Sequence, residues 1–519
     1  MLSLLQAQPG ATSPEHATTR RALITGGCGF LGFHLATSLV VQYGIDVVLL
    51  DLAPPAVPLL PGMEFVEGSV ADAAVVDKAV SSGVDAVFHV ASYGMSGREL
   101  RNLRQIEAVN VGGTRHVIDA CVRHGVPRLV YVSTCNVIFV GRRIDGGDET
   151  APYPPDSAYK DAYSATKAAA EKLVLTANGT PLRPPASRAP TAAAAAETPS
   201  PDSQRRRSGA EAGPGPGSSS SSSASSAAAA AAATAAAKKR GAAAAAVGAV
   251  NAVGAGPAPP VLRTCAVRST GIWGPGETRH QPRVIRMVRM GLFLATFGAR
   301  SNLSDWIHVN NLVQLLIRAE AALRPSQAGP AGAEAARAAV PRTNAGAEAG
   351  ARGGAMEPVA AGQVYYASDG APINNFLHFK PMIEGLGYHY PSLNVPFGLV
   401  YGIAAALEVA WPLLKHVLSE PLLTRMEVDK CAVSHWFDIS KARRDLGYEP
   451  AVYDRSECVR HMAAQGLAKG GKAVAGARRE GDVLPTATVW RGRLLGLAMT
   501  GSVALAAAAV AYRVRSSSR

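Results

Sequence analysis

The chain has 519 residues, 48% of them hydrophobic, and a formal net charge of +13. That length allows two or three ordinary domains. The basic balance does not read as a nucleic-acid footprint: clusters such as Arg205, Arg206 and Arg207, or Lys238, Lys239 and Arg240, have no aromatic residues interleaved, so no nucleic-acid partner is expected.

Residues 1–20 form a short tail whose apolar start lacks a basic leader, so no secretory signal is expected. Strand and helix signals then alternate through 21–183. A short apolar strand, Ala22–Thr25, leads into glycines and a helical pattern. "DVVLLD" (46–51) is a near-continuous apolar run of the kind found in buried parallel strands. "MEFVEG", "DAVFHVA" and "RLVYVST" supply further strands, with helices over about 104–123 and 163–176. Such alternation predicts an α/β fold, a Rossmann-type doubly wound parallel sheet.

Two stretches interrupt it. Residues 184–260 and 325–358 are dominated by Ala, Ser, Gly and Pro and lack the large apolar residues of a core. They predict disordered inserts, with transient helix in the poly-Ala parts. Between them, 261–324 continues the sheet from "VLRTCAVR" and begins a smaller C-terminal substrate lobe, which 359–466 completes. A long surface insertion adds loop entropy only slowly with length.

Within the lobe, 395–423 is strongly apolar but carries Glu408 and Pro412. A buried lobe helix and a membrane-dipping helix both fit it. A linker over 467–490 leads to 491–513, whose uncharged core "LLGLAMTGSVALAAAAVAY" is flanked by arginines. This predicts a C-terminal membrane segment, although its alanine-rich composition also fits a frayed helix. The six cysteines show no paired or metal spacing and predict free thiols and no metal site.

Gly26, Gly29 and Gly32 follow a strand and open a helix. In that context the first permits the turn, the second lets backbone approach a pyrophosphate, and the third lets helix pack on strand. The anion would rest on the helix N-terminus, where Phe30 and Leu31 complete the candidate cofactor-binding set. Asp51 ends the next strand and is followed by Leu52, not by an arginine. A carboxylate there accepts bonds from ribose hydroxyls and repels a 2′-phosphate, which favours NAD over NADP.

Tyr163 and Lys167 stand at Y-x-x-x-K spacing, on one helix face. An ammonium beside a phenol favours the phenolate, so Tyr163 reads as a candidate base. Thr134 ends a strand, where open parallel sheets bind ligands, and its hydroxyl is a candidate for holding a substrate oxygen. Ser133 is the alternative and should face the other side of the strand.

"TGGCGFLG", "NVGGT", "VSTCNVIF" and "YSATK" together resemble the extended short-chain dehydrogenase/reductases. Within them, "VFHVASYGMSGREL", "GIWGPGETRHQPR", "DWIHVNNLVQ" and "YYASDGAPINNFLHFKPMIEGLGY" are similar to the 3β-hydroxysteroid dehydrogenase/isomerase branch, and especially to its family 42E proteins. The resemblance runs from about 21 to 466. It implies that Gly26, Gly29 and Gly32 bind the pyrophosphate, that Asp51 binds the ribose, and that Ala91 lies near the adenine side. It also implies a Thr134–Tyr163–Lys167 catalytic set, with Lys167 lowering the tyrosine's pKa and holding the nicotinamide ribose. Asn110 would be structural. The chain departs from the pattern at Ser69, where an aspartate is usual, and at Ser269 and Trp273, where proline and tyrosine are usual.

The expected function is oxidation of a steroid or sterol 3β-hydroxyl, with isomerisation or C4 decarboxylation as possible companions. The expected partners are a lipophilic small molecule and a membrane, with a homodimer allowed. The expected location is the endoplasmic reticulum membrane, catalytic domain toward the cytosol. Two other readings use the same residues: a nucleotide-sugar epimerase or flavonoid-type reductase, and a non-catalytic, NAD-sensing membrane adaptor.

Overall fold

Seven strands lie side by side and all run parallel. They are β1 (Arg21–Thr25), β2 (Asp46–Asp51), β3 (Met63–Glu67), β4 (Ala86–His89), β5 (Arg128–Thr134), β8 (Val261–Ser269) and β12 (Val364–Ala367). Their spatial order is β12-β8-β5-β4-β1-β2-β3. The computed structural model describes residues 19–95, 99–100, 102–183, 259–325, 357–414 and 423–471. The tail 1–18, most of both low-complexity stretches, 415–422 and the proposed C-terminal membrane segment lie outside them.

The strands are apolar on both sides because both faces are covered. Every residue of β5 is buried. Alternate residues serve opposite layers. Ile24, Leu49 and Val130 pack with Leu35 and Leu39 of α1 (Phe30–Tyr43) and with Leu312 and Leu316 of α7 (Val309–Ala321). Leu23, Val48 and Leu129 pack on the other face. Their partners are Val76 of α2 (Ala73–Ser81), Val117 of α4 (Gly113–His124) and Val174 of α5 (Ala162–Thr176). This is the doubly wound arrangement, and β1 sits where the strand order reverses. Such a reversal opens a crevice at the carboxyl ends of the strands.

β8 follows the 184–260 stretch, yet it pairs with β5 at seven positions, from Arg128↔Arg263 to Thr134↔Ser269. The short strand β7 (Thr180–Pro181) also pairs with β8, antiparallel. Leu182 N–H donates to Pro260 O at 2.9 Å. The two sides of that stretch are therefore stitched together where it leaves the sheet.

A third apolar cluster lies apart from the sheet. Trp273 of β9 (Gly271–Trp273), Ile285 of α6 (Gln281–Arg289) and Trp306 of β11 (Trp306–His308) pack there. With them are Phe379 and Ile383 of α8 (Asn375–Gly385) and Met462 of α12 (Ser456–Ala464). Two further helices belong to this C-terminal part, α9 (Phe397–Leu414) and α10 (Arg425–Ala432). Among residues 397–412 of α9, Ala404 alone is buried, and Val409 is 82% exposed. Among the described residues, no helix is long and apolar enough to cross a membrane.

Candidate active site

The glycine turn is shaped by close contact. Gly26 has φ +68°, and a Cβ there would lie 2.9 Å from Ala91 Cα. A Cβ on Gly32 would lie 2.2 Å from Gly26 O, so α1 can enter only as glycine. Gly27, not singled out from the sequence, is equally confined: its Cβ would meet Ile24 O at 2.9 Å. Gly29 is different, with only Gly26 O near its Cβ position at 3.3 Å. That is the open side, toward which backbone could meet a ligand. No side chain caps α1 and its first turn has no acid. Its first N–H groups and the helix dipole favour an anion at that end. Phe30 begins the helix with its ring against His34 at 4.8 Å, and Leu31 is buried behind it.

Asp51 ends β2 beside this turn. Its Oδ2 accepts the Cys28 N–H at 2.9 Å and its Oδ1 accepts the Leu52 N–H at 2.7 Å. Burial, with Asp51 adding to it, pushes the Cys28 thiol up to about 12, so Cys28 is inert filling rather than a nucleophile. The glycine cradle, the uncapped helix end and the strand-end carboxylate fit a dinucleotide. The fit rests on shape and charge: a side chain at Gly26, Gly27 or Gly32 would break the turn.

Ala91 backs the glycine turn and begins a buried chain of hydrogen bonds. Its N–H reaches Thr25 Oγ1 at 3.2 Å, and Thr25 Oγ1 meets His89 Nδ1 at 2.7 Å. His89 Nε2 meets Thr114 Oγ1 at 2.9 Å, and that hydroxyl donates to Asn110 O at 2.6 Å. The Ala91 and Asn110 ends fix the direction, so the His89 proton sits on Nε2. Burial first, then the charge of Lys167, pushes His89 down to about 3, which keeps the ring neutral. Asn110 lies on a π-turn, Ala108–Gly112. Its side chain bonds Tyr93 N–H and O at 2.9 and 3.0 Å, and Thr166 Oγ1 of α5 at 3.0 Å. It ties the loop after β4 to the helix that bears Tyr163.

That helix is capped by Asp161, whose Oδ1 accepts the Ser164 N–H at 2.7 Å. Tyr163 and Lys167 are both buried. Burial pushes the Tyr163 phenol up to about 12. The charge of Arg279 opposes this, Asp161 adds to it, and a hydrogen bond with the Ser92 side chain lowers it. Lys167 Nζ donates to Val132 O at 2.6 Å and lies 4.1 Å from the Tyr131 ring centre. Burial pushes it down to about 7, partly offset by Glu171. At the Tyr163 phenol burial outweighs the opposing charge of Arg279. A further positive charge beside the phenol would act in the needed direction.

Thr134 ends β5, its Oγ1 accepting the Asn136 N–H at 3.3 Å. Ser133 Oγ is buried with no hydrogen-bond partner among the described residues. The pleat puts Ser133 on the face of Tyr131 and Thr134 on the opposite one. At the departures from the family pattern, Ser69 Oγ accepts the Ala71 N–H at 3.1 Å and Ser269 Oγ donates to Thr270 O at 3.0 Å. Trp273 Nε1 donates to Asp369 Oδ2 at 2.8 Å, so the replacement of tyrosine is accommodated.

Ser92, Arg279, His89 and the buried Arg268–Glu171 pair (2.7 Å) were not singled out from the sequence. "VFHVASYGMSGREL", "GIWGPGETRHQPR" and "VLRTCAVR" marked the neighbourhoods of His89, Ser92, Arg279 and Arg268, without a spacing that points at Tyr163. All six cysteines are free thiols.

A Rossmann crevice with a glycine cradle, a strand-end acid and a Tyr–Lys helix is the arrangement of the extended short-chain dehydrogenase/reductases, epimerases among them. The chain belongs to the 3-beta hydroxysteroid dehydrogenase/isomerase family, whose model matches residues 23–195 and 232–397. It is 36% identical to short-chain dehydrogenase/reductase family 42E member 1 of Macaca fascicularis, over 87% of this chain and 90% of that protein. It is 28% identical to a 3 beta-hydroxysteroid dehydrogenase/Delta 5-->4-isomerase of Mycobacterium tuberculosis, over 83% of this chain and 86% of that protein. In fold it is similar to an epimerase of Methanothermobacter thermautotrophicus, with a TM-score of 0.50 and 16% identity over 86% of this chain and 93% of that one.

Proposed function

We propose that this chain is an NAD-dependent oxidoreductase that oxidises the 3β-hydroxyl of a steroid or sterol. The observation that carries the reading is that Lys167, buried with Tyr163 on α5, reaches the Val132 carbonyl near the end of β5, in a sheet whose β1–α1 turn is a tight glycine cradle that supports pyrophosphate binding. Gly26, Gly29, Gly32, Phe30 and Leu31 would hold the phosphates and Asp51 the ribose. When bound, the dinucleotide supplies the hydride acceptor. Thr134 holds the substrate oxygen, Tyr163 takes its proton at the phenolic oxygen, and Lys167 supplies positive charge behind that oxygen. Dry walls around Tyr163 strengthen each of these interactions.

Family membership and the poorly buried, apolar α9 favour a lipophilic substrate over a nucleotide sugar. The same helix supports membrane association, for which the endoplasmic reticulum is our proposed site. A 4-carboxyl sterol would lose carbon dioxide readily after oxidation, through its β-keto acid.

The test is NADH formation by the purified full chain offered a panel of 3β-hydroxysterols. We expect turnover, reduced by about 10²–10⁴ in Tyr163→Phe. Measurable NAD binding with no turnover on any sterol would refute the substrate class. Activity on a UDP-sugar instead would establish the epimerase reading. A Tyr163→Phe variant as active as the parent would exclude Tyr163 as the base.

A further inference from the structure

We propose that Lys430, on α10 of the C-terminal part, is a positioning residue for the candidate base: together with Asp429 it clasps the Lys160–Asp161 turn and offsets the Asp161 carboxylate at the head of α5. The proposal rests on the reading of Tyr163 as that base.

Two ion pairs cross between neighbouring residues. Lys160 Nζ meets Asp429 Oδ2, and Lys430 Nζ lies 3.6 Å from Asp161 Oδ2. Plus–minus along the turn therefore faces minus–plus along α10. Sliding α10 by one residue would set Asp429 against Asp161, so the pairing admits one register. Asp429 is buried, and the Lys160 ammonium also lies 5.7 Å from the Tyr401 ring centre of α9. α10 itself is anchored by a capping box between Thr424 and Glu427. Glu427 also accepts from Arg283 of α6 at 2.7 Å.

Asp161 has two duties that conflict. Its Oδ1 and Oδ2 accept the N–H and Oγ–H of Ser164 at 2.7 and 3.0 Å, which starts α5 and sets Tyr163 in place. Its negative charge, two residues before the phenol, opposes a phenolate. Lys430 counters the charge and leaves the cap. Its field also reaches Cys135, next to Thr134, so it bears on both sides of the site. The other groups facing Tyr163 are Arg279, Cys135 and the Ser92 side chain, with Lys167 one turn further along α5. Arg279 is itself 3.6 Å from Glu99. A cap without a counter-charge would hold the tyrosine well but bias it toward the protonated form.

The test places 3,5-difluorotyrosine, whose phenol is more acidic, at position 163 of the full chain. Fluorine NMR then follows its ionisation with pH. Lys430→Met should raise the midpoint by about half a pH unit, the scale of one partly screened charge at this range. Lys430→Arg should restore it. Asp161→Asn, which keeps the cap, should lower the midpoint, and the double variant should return close to the parent. An unchanged midpoint in Lys430→Met, or a double variant whose midpoint stays as high as that of Lys430→Met, overturns the proposal. Should Lys430→Met fail to fold, Lys430→Gln is read by the same two comparisons. The measurement needs no substrate and no NAD, so it is decided separately from the oxidoreductase reading.

Discussion

Lys167 shows how far burial can reset a single residue. It has no carboxylate within ion-pair distance among the described residues, only the Val132 carbonyl and the face of Tyr131. Burial pushes it from 10.5 down to about 7. Between those values the unfolded chain binds a proton that the folded chain does not. Stability from this residue therefore rises with pH across that window and is lost as pH falls toward 7. We expect Lys167→Met to be more stable than the parent near pH 7, by about 2–4 kcal/mol, with the gap closing toward pH 10. Urea unfolding of both proteins across that range checks it; a gap independent of pH would refute it. Y-x-x-x-K spacing made this lysine visible in the sequence. Its depth was not visible, because that depends on how α5 lies on β5.

At the scale of elements, the entry of α1 is the tightest junction in the crevice. A methyl on Gly32 would sit 2.2 Å from Gly26 O, and neither atom can move without the turn moving. Gly32→Ala should therefore lower stability by about 2 kcal/mol or more and weaken NAD binding at least tenfold. Thermal unfolding and a direct NAD titration measure the two effects, and a variant that binds like the parent would contradict the cradle. The strands and this turn were legible because local pattern sets them. "DVVLLD" is apolar throughout because both faces of β2 are covered, and a glycine turn between strand and helix has few uses. The π-turn at Asn110, the proton direction through His89 and the crossed pairs on α10 were not legible. Each depends on residues far apart in the chain: Lys160 and Asp429 are 269 positions from one another. No periodicity links such partners before the fold does.

For the whole molecule, the seam between β5 and β8 carries the main prediction. Seven paired positions and the Leu182–Pro260 bond join the described residues on either side of that stretch. We expect a full chain lacking 190–255, joined by a short Gly-Ser linker, to bind NAD as the parent does and to unfold within a few degrees of it. Failure to fold would show that the deleted stretch contributes to the core. The fold class and the order of strand signals could be read from sequence at this scale. That "VLRTCAVR" lies beside "RLVYVST" across so long a stretch is a matter of register, which the pairing alone reveals.

The same seam makes the protein a natural two-piece assembly. A cut between 183 and 259 separates the turn-and-tyrosine half from the strand and lobe that complete it, yet leaves every β5–β8 partner in place. The halves would then be held by the sheet itself, as a key is held by its lock. Synthesised apart, the two chains are expected to regain full dinucleotide binding on mixing, which an NAD titration of each piece and of the mixture checks.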